Sequence, residues 1–149
     1  MKARIASTLV ILTALCAGTF PVLAQTGAED VADVKSRDLF AGGNPDMRYF
    51  LIGPNGNAAE PAAGFALLVV LPGGDGSADF QTFVKRISKF ALGPDYLVAQ
   101  PVAVKWSAKQ EITWPTAKDK VPGQRFSTEE FVEAVIKDAA SKHKLDSKR

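Results

Sequence analysis

Phe65-Ala66-Leu67-Leu68-Val69-Val70-Leu71-Pro72-Gly73-Gly74-Asp75-Gly76-Ser77 is the most informative stretch of the chain. Its first seven residues are an unbroken apolar run, too short for a helix and uniform enough for a strand buried on both faces. The glycines end that strand. Phe80, Phe83, Val84, Ile87 and Phe90 then recur at three- and four-residue spacing, which predicts an amphipathic helix closed by Gly93-Pro94. Residues 96–104 read as a second strand. Strand, helix and strand within about 40 residues make a βαβ unit, which demands a parallel pair.

Outward from this unit, residues 34–40 and 47–52 read as two strands joined by the turn cluster Gly42-Gly43-Asn44-Pro45, an antiparallel hairpin. Residues 53–64 are a long loop with no apolar period. On the other side, residues 105–125 also lack a period, carry Trp106, Trp114, Pro115 and Pro122, and are longer than an ordinary connection. Ser127-Thr128-Glu129-Glu130 is a capping box that starts a helix. Phe131, Val135, Ala139 and Val132, Ile136, Ala140 form its apolar stripe, and Glu133, Lys137, Lys142 and Lys144 its wet face. A helix of this kind is a crossover that carries the chain to a further parallel strand. The strand pattern stops before that strand, so residues 33–149 read as an α/β domain cut short.

Lys2 and Arg4 precede an apolar run over residues 5–17, and Gly18 and Pro21 break it before the small residues Val22 and Ala24. That is the layout of an export signal over residues 1–24, cleaved after Ala24, and the run is shorter than the roughly 20 residues that cross a bilayer. The expected location is therefore secreted or periplasmic, with no membrane attachment after cleavage. Cys16, the only cysteine, lies inside the signal, so the mature part has no disulfide to lean on. Removing Lys2 and Arg4 from 18 basic residues leaves 16, equal to the 16 acidic ones. A neutral chain gives no pull toward nucleic acid or an anionic surface. Residues 25–32 read as a flexible lead-in.

The glycine loop admits several chemistries. A phosphate-binding Walker loop needs Gly-Lys-Ser/Thr, and no lysine stands between Gly73 and Asp79. A dinucleotide fingerprint would have Asp79 in place of its third glycine and two aspartates facing phosphate. An oxyanion hole, in which amides at a strand's end hold the negative oxygen of a tetrahedral intermediate, fits better. A ligand-free strand-to-helix turn stays open beside it. No acid cluster has metal-ligand spacing, and no cofactor is expected.

The hairpin, the strand ending in Pro-Gly-Gly-Asp-Gly, the helix, the strand with its Trp/Pro loop and the capped helix together resemble the N-terminal half of the α/β-hydrolase superfamily. The branch they resemble is that of secreted polyhydroxybutyrate depolymerase, feruloyl esterase and phospholipase/carboxylesterase-like proteins. The resemblance implies an incomplete α/β-hydrolase fold acting on small-molecule or polymeric carboxylic esters. It implies oxyanion donors at the backbone of Gly74 and Asp75, with Gly73 and Gly76 shaping the turn. It also puts Trp106 and Trp114 at the border of the substrate pocket, and residues 65–71 between the second parallel strand and one still to come. Where many relatives have histidine, this chain has Pro72. None of the eight serines lies in Gly-x-Ser-x-Gly, and the single histidine, His143, suits a helix end, where a cation favours the dipole. Ser77 reads as a helix N-cap. The catalytic triad is thus absent from these residues, and a small exported non-catalytic binding domain using the Trp loop as its contact surface is the alternative.

Overall fold

The computed structural model describes residues 28–54 and 59–149. Four strands, β1 (Ser36–Phe40), β2 (Arg48–Ile52), β3 (Ala66–Val69) and β4 (Tyr96–Pro101), form one mixed sheet in the order β1-β2-β4-β3. β1 with β2 and β2 with β4 are antiparallel, and β3 with β4 is parallel. The expected hairpin and βαβ unit are both present, and the class is α/β. Between β3 and β4 the chain makes a 3₁₀ turn over Ala78–Phe80, the short helix α1 (Gln81–Arg86) and a π turn over Ile87–Ala91. The long helix α2 is Thr128–Lys142.

The sheet is covered on both faces. On one, Tyr49, Leu51, Leu97 and Ala99 pack with Phe65 against Phe131, Val135 and Ala139 of α2. On the other, Phe50, Ile52 and Val98 pack against Val84 of α1 and against Val31 and Val34. Burying each of the larger aliphatic and phenyl side chains contributes about 1.5–3 kcal/mol, so the two layers hold the sheet from both sides. α2 starts where the capping box places it: Ser127 Oγ accepts from the Glu130 amide at 3.2 Å and Glu130 Oε2 accepts from the Ser127 amide at 2.7 Å.

Three expectations need correction. β3 lies at the edge, next to β4 alone among the described strands, as expected with the further strand missing, but Leu67, Leu68, Val69 and Val70 are half-buried instead of buried on both faces. In α1 only Val84 of the apolar set is buried, while Phe83 is 57% and Phe90 66% exposed, because the helix is too short and too unwound to turn the whole set inward. In α2 the row Phe131, Val135, Ala139 is buried, but Ile136 and Ala140 are exposed. Over the described part of the lead-in, residues 28–32, Val31 is buried, Arg86 donates to Asp30 at 2.7 Å and Lys89 donates to the Asp30 carbonyl at 2.7 Å. The export signal and residues 25–27 lie outside the described residues.

After α2 the backbone reaches the outer side of β3. The Phe65 amide donates to the Lys144 carbonyl at 2.8 Å, the Asp146 amide donates to the Phe65 carbonyl at 2.8 Å, and Leu145 makes a parallel bridge with Phe65. Gly64 permits this approach: it has φ +94°, and a Cβ there would sit 2.7 Å from the Lys144 carbonyl oxygen. Ala66 and Val70 donate toward β4, so by ladder alternation the amides and carbonyls of Leu67 and Val69 face outward, where no described strand pairs with them. Pairing stops because Asp146 Oδ1 accepts from the Lys148 amide at 2.9 Å and Arg149 bridges Asp146 and Asp95.

Candidate functional site: the glycine loop

The loop from Pro72 to Ser77 leaves the end of β3 and is bound to the protein through its carbonyls. Trp114 Nε1 donates to the Pro72 carbonyl at 2.7 Å, and Thr113 Oγ1 donates to the Gly74 carbonyl at 2.6 Å. The Gly76 amide donates to the Gly73 carbonyl at 3.1 Å, closing a turn, and the Ala103 amide donates to the Gly76 carbonyl at 2.9 Å. Gly74 and Gly76 have φ of +63° and +65°, the left-handed region that glycine enters at least cost. In a trans peptide the C=O and the following N–H point in opposite directions. The Pro72 and Gly74 carbonyls, held by Trp114 and Thr113, therefore leave the Gly73 and Asp75 amides, which share their peptide planes, pointing away from those two side chains. Successive outward amides make a concavity suited to an anion.

Asp75 Oδ1 accepts from the Ser77 amide at 3.0 Å. That bond, then the Ser77 side chain and Asp75's own backbone amide, hold its carboxyl below the usual range, with the Lys105 charge adding a smaller push in the same direction. The carboxylate is thus ionised beside the amides it follows. Ser77 stands at the N-cap position of the 3₁₀ turn but makes no side-chain cap bond, which corrects the capping expectation. A cavity of about 90 Å³ adjoins the loop, lined by Asp75, Ala103, Val104, Lys105 and Thr113 among others.

The two tryptophans do not border that cavity. They share a cleft of about 10 Å³, room for little more than one water. Trp106 meets Phe126 edge-on at 4.8 Å with the Arg125 guanidinium 5.2 Å above its ring, while Trp114 is committed to Pro72. No sequence signal pairs Thr113 and Trp114 with the loop, since the partners are 39 and 42 residues apart.

His143 lies at the opposite end of the sheet, where its ring meets Phe65 edge-on at 5.8 Å. The run from Phe65 to the loop spans on the order of 20 Å at strand rise, far beyond proton-transfer reach. Arg37 donates to His143 Nε2 at 2.6 Å, and burial, then the Arg37 charge, lower its pKa from the ordinary 6.5. The expected helix-end cation is corrected: His143 is held neutral, and Arg37 carries the charge there. Among the described residues, no group of His, Cys, Asp and Glu could hold a metal ion, and no helix is long and apolar enough to cross a membrane.

No family model, curated protein or solved structure matches the chain.

Proposed function

We propose that residues 33–149 are the N-terminal part of an exported serine ester hydrolase of the α/β-hydrolase kind. They supply the oxyanion-binding loop and none of the nucleophile, acid and base. The observation that supports this most is the glycine loop at the end of a parallel strand, with its Pro72 and Gly74 carbonyls held by Trp114 and Thr113 and with Asp75 lining a small cavity. Backbone donors fixed in place before reaction are what a developing oxyanion needs. The outward edge of β3, begun but not completed by Leu145, leaves room for the strand that would bring a nucleophile to the same end of the sheet. In the completed domain a serine would attack a carboxylic ester, and the negative oxygen would settle on these amides while an acyl-enzyme forms and is then hydrolysed.

The binding-domain alternative gains less support, because both indoles of its supposed contact surface are half-buried and engaged within the fold. The test is hydrolysis of a short-chain p-nitrophenyl ester. The full chain alone is expected to give no turnover above background. Turnover that persists in Ser77→Ala and His143→Ala would contradict the assignment of a missing nucleophile and base.

A further inference from the structure

We infer that Trp114 and Thr113 are positioning residues that aim the loop's amides outward, an inference that rests on the oxyanion reading. The Pro72 carbonyl and the Gly73 amide share one peptide plane, as do the Gly74 carbonyl and the Asp75 amide. Trp114 holds the first plane and Thr113 the second, at 2.7 and 2.6 Å. Each plane has a glycine on one side, Gly73 for the first and Gly74 for the second, whose backbone resists rotation weakly. Without these donors either plane can flip and present a carbonyl oxygen where an anion would sit, turning attraction into repulsion. The two side chains come from consecutive residues of the long loop and also close over Gly76. A Cβ at Gly76 would lie 2.9 Å from Thr113 Cγ2 and 3.1 Å from Trp114 Cζ2. The long loop is held in turn by Gln110, which accepts from the Trp106 amide at 2.8 Å and donates to the Ile112 carbonyl at 2.7 Å. Its length is thereby given a purpose: it is the template against which the glycine loop sets.

The experiment follows the backbone amide NMR signals of Gly73, Gly74 and Asp75 in the full chain. Sodium acetate is the anionic probe, and sodium chloride at equal ionic strength is the control. Thr113→Val removes the hydroxyl and keeps the methyl that packs over Gly76, Trp114→Phe removes the indole N–H and keeps an aromatic ring, and Thr113→Ser keeps the hydroxyl. Acetate is expected to shift the three amides saturably in the unsubstituted chain. Trp114→Phe and Thr113→Val are each expected to displace the Gly73 or Asp75 signal and to weaken the acetate response about fivefold, the loss of one ordinary hydrogen bond. Thr113→Ser is expected to restore both, which a general loss of packing would not allow. Unchanged amide signals and acetate response in both donor-lacking variants would overturn the positioning role. If acetate fails to move the amides of the unsubstituted chain while the variants still displace them, the oxyanion reading falls and the hold on the loop stands.

Discussion

Gly76 has no room for a side chain: a Cβ would lie 2.5 Å from that of Ala103, at a φ of +65°. Gly74 has a similar φ, but a Cβ there would meet nothing nearer than 3.9 Å. The pair separates conformational strain from crowding. Gly74→Ala is expected to cost about 1–2 kcal/mol and Gly76→Ala about 2–5 kcal/mol in urea unfolding, strain alone against strain plus overpacking. Equal costs would mean that the Thr113-Trp114 cover is not closed in solution. His143 offers a second residue-scale test. Its folded-state pKa lies below the ordinary 6.5, so the unfolded chain takes up the proton first as pH falls. Its contribution to stability is complete above 6.5 and is lost as pH drops from there through the lowered folded value. Between about pH 7 and about pH 5 the urea midpoint should fall more steeply in the unsubstituted chain than in His143→Gln. A steeper fall in His143→Gln would contradict the neutral, Arg37-bonded imidazole. Little of this was legible in the chain. Glycines at 73, 74 and 76 announce a turn, but the partners that aim it come from a stretch with no pattern. Gln100, fully buried on β4 with a side-chain amide that meets no partner among the described residues, gave no sign at all.

At the scale of elements, what was legible was local. The Ser127–Glu130 capping box needs only four neighbouring residues, and it starts α2 where it was expected. The apolar run at 65–71 correctly signals a strand, while its place at the edge came from the strand order that the resemblance implies and not from the run itself. The spacing of Phe83 and Phe90 suggested a buried stripe, but a helix of six residues followed by a π turn leaves both rings in water. These exposures have a common consequence. The outer groups of Leu67 and Val69, which no described strand pairs, lie along one edge, with Leu71 40% exposed just beyond it, and such an edge is a template for another chain. The chain is expected to self-associate with rising concentration in sedimentation velocity, and Leu71→Lys to reduce that association. A chain that stays monodisperse at all concentrations, with Leu71→Lys indistinguishable from it, would remove the edge from the account.

For the whole molecule, the sheet with its two covering layers is complete enough to build a core and to set the glycine loop at the end of β3. The chemistry it proposes is not complete within these residues. On the proposed reading the loop with its two side-chain clamps would be the anion-holding half of an ester-cleaving site, and His143, on the order of 20 Å away along the sheet, is too far to act as its base. The central claim is that this half belongs to a serine hydrolase whose nucleophile strand would pair with the outer edge of β3, continuing from the Leu145 bridge. The most direct measurement is to sequence the coding DNA beyond the Arg149 codon and translate it in all three frames. A short apolar strand and Gly-x-Ser-x-Gly are expected within about 15 residues in one frame. Their absence from every frame would contradict the claim.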